Sequence, residues 1–444
     1  MNINSRTQRW TVLAIASLVM MMGYIFWNII APVSTTLKAP ISEGGLGWTS
    51  AEYGLYTSSY TILNLFLLML FFGGIILDKW GIRLTGMLAT GCMLLGSITN
   101  YYAITAISPL HTVSIGFSFF GLLPDTAKVQ VLLSALGFGI FGMGCDITGI
   151  TVSKIITKWF RGKELASAMG TQVATARLGT ALAFSISPML VQHFGVTSPL
   201  AVGAGFLLLG FVLFMAYCAM DRQFDKEAKT DAEDSPTNSE NFRIADVAVV
   251  VRNRGFWLIA LLCVLYYASI RTFMSFATDF MLCAGFNISS EMAGSIVSLI
   301  PFGAIVLSPL FGIVYDRTHR GSLMMSAGCG ILALGLLLLA YPLSHSLWYA
   351  ILMMGLIGIA FSLVPAALWP SVPMMVELKQ LGTAYSIVYY IQNLGLFLVP
   401  IWIGNVVDNN TSAAGTDYTS AMLIFALLAI AAMVCAMRVM KTID

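Results

Sequence analysis

Apolar residues in this chain gather into twelve long runs separated by short polar breaks. The first six cover residues 10–37, 50–78, 84–106, 128–157, 164–191 and 198–220. The second six cover 255–283, 290–315, 322–342, 347–375, 383–407 and 416–437. Each run is long enough to cross the ~30 Å hydrocarbon core of a bilayer as a helix. Only a helix satisfies its own backbone hydrogen bonds within one lipid-exposed segment, so the runs predict twelve transmembrane helices. The first run has no small-residue cleavage site after it and is expected to stay as a helix. Lys and Arg set the orientation. Arg6, Arg9, Lys79, Arg83, Lys158 and Arg161 fall on one side, while the other side has little beyond Lys38 and Lys128. The basic side is therefore expected to be cytoplasmic, with both termini on it.

A polar stretch divides the runs into two sets of six. Residues 221–254 are expected to be a cytoplasmic linker between an N-terminal bundle, 1–220, and a C-terminal bundle, 255–444. Asp221–Glu240 has the mixed-charge composition of a flexible tether, and Phe242–Val251 has the pattern of a short interfacial helix. The two sets repeat one another. Gly74-Ile-Ile-Leu-Asp78-Lys79-Trp-Gly81-Ile-Arg83 follows the second run, and Gly312-Ile-Val-Tyr-Asp316-Arg317 follows the eighth. Leu165-Ala-Ser-Ala168 and Leu381-Gly-Thr-Ala384 open the fifth and eleventh. An ordinary positive-inside loop accounts for the bases but not for the recurrence. Two parallel six-helix repeats describe the major facilitator fold, an all-α membrane architecture.

Composition agrees. Of 444 residues, 58% are apolar and only 10% charged, where a soluble domain has about 25% charged. The seven cysteines lie in or beside apolar runs and form no CxxC or Cys/His cluster. They are expected to be reduced packing residues. No phosphate-binding loop, no metal-ligand cluster and no basic nucleic-acid patch is evident. The composition therefore points away from an enzyme and from a cofactor. It points to a small-molecule substrate and the lipid bilayer as partners.

Three formal charges lie well inside the runs: Asp146, Arg177 and Arg271. At the bilayer centre each costs roughly 2.5–3.5 kcal/mol on insertion scales, so each needs a reason. At 1.5 Å rise per residue, Asp146 lies ~18 Å from the basic end of the fourth run and Arg177 ~20 Å from the start of the fifth. They share a level near the midplane. Two readings stay open there: a structural salt bridge, or capture of a ligand at the midplane cavity. Arg271 lies ~25 Å along the seventh run, which allows it either to snorkel to the outer surface or to join a site. Polar and aromatic stripes support a central cavity, with helix packing the alternative reading of the tyrosines. Tyr53, Tyr56, Tyr60 and Asn64 lie on one face of the second run, and Tyr24 with Asn28 on the first. Tyr267 sits one turn from Arg271, and the eleventh run carries Tyr385, Tyr389, Gln392 and Asn393. Pro365, Trp369, Pro370 and Pro373 predict a kinked or broken tenth helix bordering the cavity.

Several stretches carry a more specific likeness. They are Phe138-Gly-Ile-Phe-Gly-Met-Gly-Cys-Asp146, Trp159-Phe-Arg-Gly-Lys-Glu-Leu165, Ala174-Thr-Ala-Arg177-Leu-Gly179, Ala366-Ala-Leu-Trp-Pro370, Gln380-Leu-Gly-Thr-Ala-Tyr385 and Ile391-Gln-Asn-Leu-Gly395. In these the chain resembles the lysosomal dipeptide transporters known as major facilitator superfamily domain-containing protein 1. The resemblance implies that Asp146 holds a peptide's amino end and Arg177 its carboxylate, with Trp369 and Gln392 at further pocket positions. The chain departs from the family's pattern in four places. Asp146 stands where Glu is usual, and Arg271 where a hydrophobic residue is usual. Residues 107–127 form a longer outer loop, and the N-terminal tail lacks an acidic dileucine signal. The plasma membrane, the cell's inner membrane in a bacterium, is therefore the expected location. The leading expectation is a dipeptide transporter working by alternating access. The alternatives are a carrier of small organic anions bound by Arg177 and Arg271, or a non-transporting receptor. Protons are a candidate coupling ion through Asp146, and facilitated diffusion fits equally.

Overall fold

The computed structural model describes residues 6–114, 126–160, 164–231, 252–318, 320–375, 381–412 and 415–443. The first half contains α1 (Arg6–Asn28), α2 (Ser34–Lys38), α3 (Ser50–Ser59), α4 (Ile62–Phe66), α5 (Met69–Ala106), α6 (Val129–Phe160), α7 (Leu165–Phe194) and α8 (Ser198–Asp231). The second contains α9 (Arg254–Cys283), α10 (Ser290–Val297), α11 (Leu299–Thr318), α12 (Gly321–Ala340), α13 (Leu347–Ser371), α14 (Leu381–Asn409) and α15 (Thr419–Ile443). Among the described residues, eleven helical stretches are long and apolar enough to cross a bilayer.

The second expected span, 50–78, is the exception: it is broken into α3, α4 and the start of α5. Its sequence supplies the reason. Thr57, Ser58, Ser59 and Thr61 each donate a hydroxyl to the carbonyl three residues earlier, at 3.0, 2.9, 2.7 and 3.1 Å. Such back-bonding competes with the helical ladder and bends it. A second break follows at Leu68, whose φ of 50° is left-handed. At Gly81 the backbone of α5 leaves helical geometry with φ 80°, a conformation that suits glycine because it has no Cβ. This turn separates the second span from the third.

Other departures are smaller. The eighth span divides at Ser298 into α10 and α11. The tenth continues as one helix, α13, through Pro365 and Pro370 before tightening into a 3-10 turn at Val372–Met374. The loop after the third span is closed by an antiparallel pair of strands, β1 (Thr112–Ser114) and β2 (Thr126–Lys128). The last span of the first half runs on through Asp231, past the expected start of the linker. Asp221 holds it in place: its carboxylate is buried and accepts from Lys158 Nζ at 2.8 Å, Tyr217 Oη at 3.1 Å and Trp159 Nε1 at 3.2 Å. The proposed interfacial helix 242–251 lies outside the described residues.

The chain has two faces. Arg6, Arg83 and Lys158 mark a basic face. There Arg83 pairs with Asp225 at 3.0 Å and Arg6 with Glu164 at 3.1 Å. Polar contacts between the two halves gather at the opposite, far face. Lys38 makes an ion pair with Asp279, which also accepts from Tyr418 and, at 2.7 Å, from Thr35. Tyr53 donates to the Ser275 carbonyl at 2.8 Å. Asp408 accepts from the backbone N–H groups of Ser50 and Ala51. Glycines bring the backbones together: a Cβ on Gly54 would lie 2.3 Å from the Pro400 carbonyl oxygen, and one on Gly404 2.3 Å from that of Ser50. The far face is thus closed.

Candidate functional site

The broken second span positions the acid. A Cβ on Gly142 would lie 2.0 Å from the Tyr60 carbonyl oxygen, so α6 and the α3–α4 junction are in backbone contact. This contact brings Tyr60 and Asn64 to Asp146 on α6. Tyr60 Oη donates to Asp146 Oδ1 at 2.7 Å and Asn64 Nδ2 to Oδ2 at 2.5 Å. Asn64 Oδ1 is buried with no partner. The acid and this amide oxygen together present acceptors and no cation.

The two arginines rest on aromatic rings rather than on acids. Arg177, from the first half, lies over the Phe361 ring of the second at 4.2 Å. Arg271, from the second half, lies over the Trp27 ring of the first at 4.0 Å. Cation–π contacts of this kind are worth ~2 kcal/mol or more when desolvated. Among the described residues no ion pair joins Asp146 to either arginine. The salt-bridge expectation for Asp146 and Arg177 is therefore not met. The snorkelling of Arg271 is not met either, because its side chain lines an interior cavity with Trp27, Asn28, Tyr60 and Thr272. The reason is the Trp27 ring, which gives the cation an interior partner.

Trp27 stacks on Tyr60, with 4.2 Å between centroids and 1° between planes. A second aromatic cluster lies in the other half. Trp369 donates its indole N–H to Tyr267 Oη at 3.0 Å and stacks on Tyr389 at 4.9 Å. Tyr385 donates to the Trp369 carbonyl at 3.2 Å. Gln392 accepts from Cys263 Sγ at 3.6 Å, and Asn393 is buried beside it. Tyr56 lines the same cavity as Arg271, but its hydroxyl accepts from Asn100 at 2.8 Å and its ring stacks on Phe138, so its contacts are mainly internal packing.

The recurring basic-face residues lie away from this site. Arg83 pairs with Asp225, Lys79 is exposed, and Asp316 and Arg317 are exposed at the end of α11. Gly74 and Asp78 fall within α5, and their side chains lie outside the described part of the chain. Two ring partners were not marked by the sequence reading. Trp27, between Tyr24 and Asn28, had a signal in that polar-aromatic cluster. Phe361 had none, since it is one of many apolar residues in the tenth run.

Two helical halves that meet at one face around a pocket lined by Arg271 define the class: a membrane transporter fold. The chain belongs to the Major Facilitator Superfamily, whose sequence profile matches residues 12–282 and 265–443. It is similar to the lysosomal dipeptide transporter MFSD1 of Gallus gallus, 30% identical over 305 residues that cover 67% of each chain. The MFSD1 of Danio rerio is 28% identical over 371 residues, 81% of this chain and 74% of that one. The fold is also that of the crystal structure of the nucleoside transporter NupG. That match has a TM-score of 0.70 and 17% identity, and it covers 99% of this chain and 100% of the other.

Proposed function

We propose that the chain transports dipeptides by alternating access, with Asp146 receiving the ammonium and Arg177 the terminal carboxylate. The observation that carries this reading is the separation of charge. Among the described residues, the carboxylate held by Tyr60 and Asn64 and the arginine resting on Phe361 form no ion pair with each other. An ammonium has three donors, and the Asp146 oxygens with the spare Asn64 oxygen offer it acceptors. A guanidinium over a ring keeps its N–H fork free for a bidentate carboxylate. The names of the relatives support the same substrate class. Trp369, Tyr267, Tyr389 and Gln392 form the wall that peptide side chains meet.

The basic face is taken as cytoplasmic, so the closed far face is the outer one. The two bundles, 1–220 and 255–444, rock about the site, joined by the 221–254 linker. We place the protein in the plasma membrane, in contrast to the lysosomal setting in the relatives' names; imaging of a tagged chain tests this. A second reading, transport of small organic anions, is favoured by one observation: neither Arg177 nor Arg271 has a carboxylate partner among the described residues, each resting on an aromatic ring. Uptake by proteoliposomes tests the two. Loss of dipeptide uptake in Arg177→Ala supports the first, and unchanged uptake in that variant refutes it. Uptake of a dicarboxylate with no dipeptide uptake supports the second.

A further inference from the structure

We infer that Arg271, with the pocket beside it, is a subsite for an acidic side chain on the first residue of the peptide. The preferred substrates are then dipeptides that begin with Asp or Glu. The inference rests on the dipeptide reading and adds a side-chain specificity to it.

The argument starts from charge. A dipeptide with neutral side chains brings one ammonium and one carboxylate, which Asp146 and Arg177 match. Arg271 is left over. Its guanidinium has no carboxylate partner among the described residues and rests only on the Trp27 ring. An arginine costs roughly 2.5–3.5 kcal/mol at the bilayer centre on insertion scales, and a substrate carboxylate would neutralise it.

Position comes next. Asp146 is held by Tyr60, Tyr60 stacks on Trp27 at 4.2 Å, and Arg271 lies over Trp27 at 4.0 Å. Arg271 and Tyr60, the residue that holds the acid, therefore line one pocket and both contact the Trp27 ring. Arg177 instead lies over Phe361 on the α13 side. A carboxylate reaching Arg271 thus belongs to the residue that carries the ammonium. The pocket also supplies a neutral donor there. The Thr272 hydroxyl lines it, buried and with no partner, while Asn28 is already committed to Tyr24 and Thr180.

The test is competition against uptake of labelled Ala-Ala in proteoliposomes, using unlabelled Glu-Ala, Ala-Glu, Ala-Ala, Lys-Ala and glutarate. In the wild type Glu-Ala is expected to compete about tenfold better than Ala-Ala, as for one added charge-assisted hydrogen bond. Ala-Glu falls below Glu-Ala, and Lys-Ala comes last. Arg271→Leu brings Glu-Ala to within about twofold of Ala-Ala, and Arg271→Lys retains the order of preference. Equal competition by Glu-Ala and Ala-Ala in the wild type overturns the subsite without recourse to any variant. So does a Glu-Ala preference that survives Arg271→Leu. Absence of any Ala-Ala uptake, with glutarate carried instead, overturns the dipeptide reading itself and is distinguishable from both.

Discussion

Asp408, in the last turn of α14, accepts a hydrogen bond at 2.6 Å from the backbone N–H of Ser50, the first residue of α3. Its other oxygen accepts from Ala51 at 2.7 Å. The first N–H groups of a helix have no partner within it, so a carboxylate from the second half completes the cap of a helix in the first. Within the first half, Thr49 and Glu52 form a capping box at the same terminus. The bond to Asp408 exists only while the far face is closed.

That relationship gives a conformational prediction. A negative charge at a helix N-terminus is worth ~0.3–1 kcal/mol, and up to ~2 in partly buried geometries. Asp408→Asn is therefore expected to shift the equilibrium toward the far-face-open state by about twofold to thirtyfold. Spin labels at Ile41→Cys and Leu343→Cys, both exposed, report the distance between halves on that face, with the exposed Cys283 replaced by Ser. An unchanged distance distribution would show that Asp408 does not hold the closed state.

The glycines at the same seam act by shape rather than charge. Gly54→Ala places a Cβ against the Pro400 carbonyl, where the contact would be 2.3 Å. Backbone on both sides leaves little room to yield, so the closed state is expected to lose most of its population while each half stays folded. The same label pair reads this. Gly142→Ala is the contrast. It meets the Tyr60 carbonyl inside the first half, so it is expected to lower the yield of folded protein and leave the closure equilibrium of what folds largely unaltered.

The twelve-run pattern was legible because the bilayer requires each crossing to be apolar and self-bonded. Asp146, Arg177 and Arg271 were legible for the converse reason, since charge within a span demands an explanation. The division of the second span was harder to see. Hydropathy does not register whether Thr57, Ser58 and Ser59 turn their hydroxyls back onto the chain. Tyr60 and Asn64 were placed on one straight helical face, yet they reach Asp146 from either side of a break. Partners across the halves left the weakest trace. Asp279 lies on the same helix as Arg271, but its pairing with Lys38 depends on how the halves meet, and no period in either sequence encodes that. Phe361 is one apolar residue among many until Arg177 lies over it.

The Lys38–Asp279 pair is nearly enclosed, with side-chain exposures of 14% and 2%. Removing one member of a buried pair leaves an uncompensated charge, at a cost of about 3–5 kcal/mol. Replacing both by apolar residues is often neutral. Asp279→Leu is thus expected to lower the thermal midpoint in detergent markedly, and adding Lys38→Met to restore most of it. Two losses that simply add would show that the residues do not interact.

Tyr60 offers the sharpest test of how the acid is held. Its hydroxyl donates to Asp146 at 2.7 Å while its ring stacks on Trp27. Tyr60→Phe removes the first contact and keeps the second. Hydrogen bonds to charged groups contribute about 1.5–3 kcal/mol. If the hydroxyl fixes the carboxylate toward a substrate ammonium, the KM for Ala-Ala rises roughly tenfold or more, with the thermal midpoint little changed. Asn64→Leu removes the partner bond together with the spare acceptor, so its KM is expected to rise at least as far. A Tyr60→Phe variant whose KM matches the wild type would mean that Asp146 needs no fixed orientation, and the proposed ammonium site would lose its geometric basis.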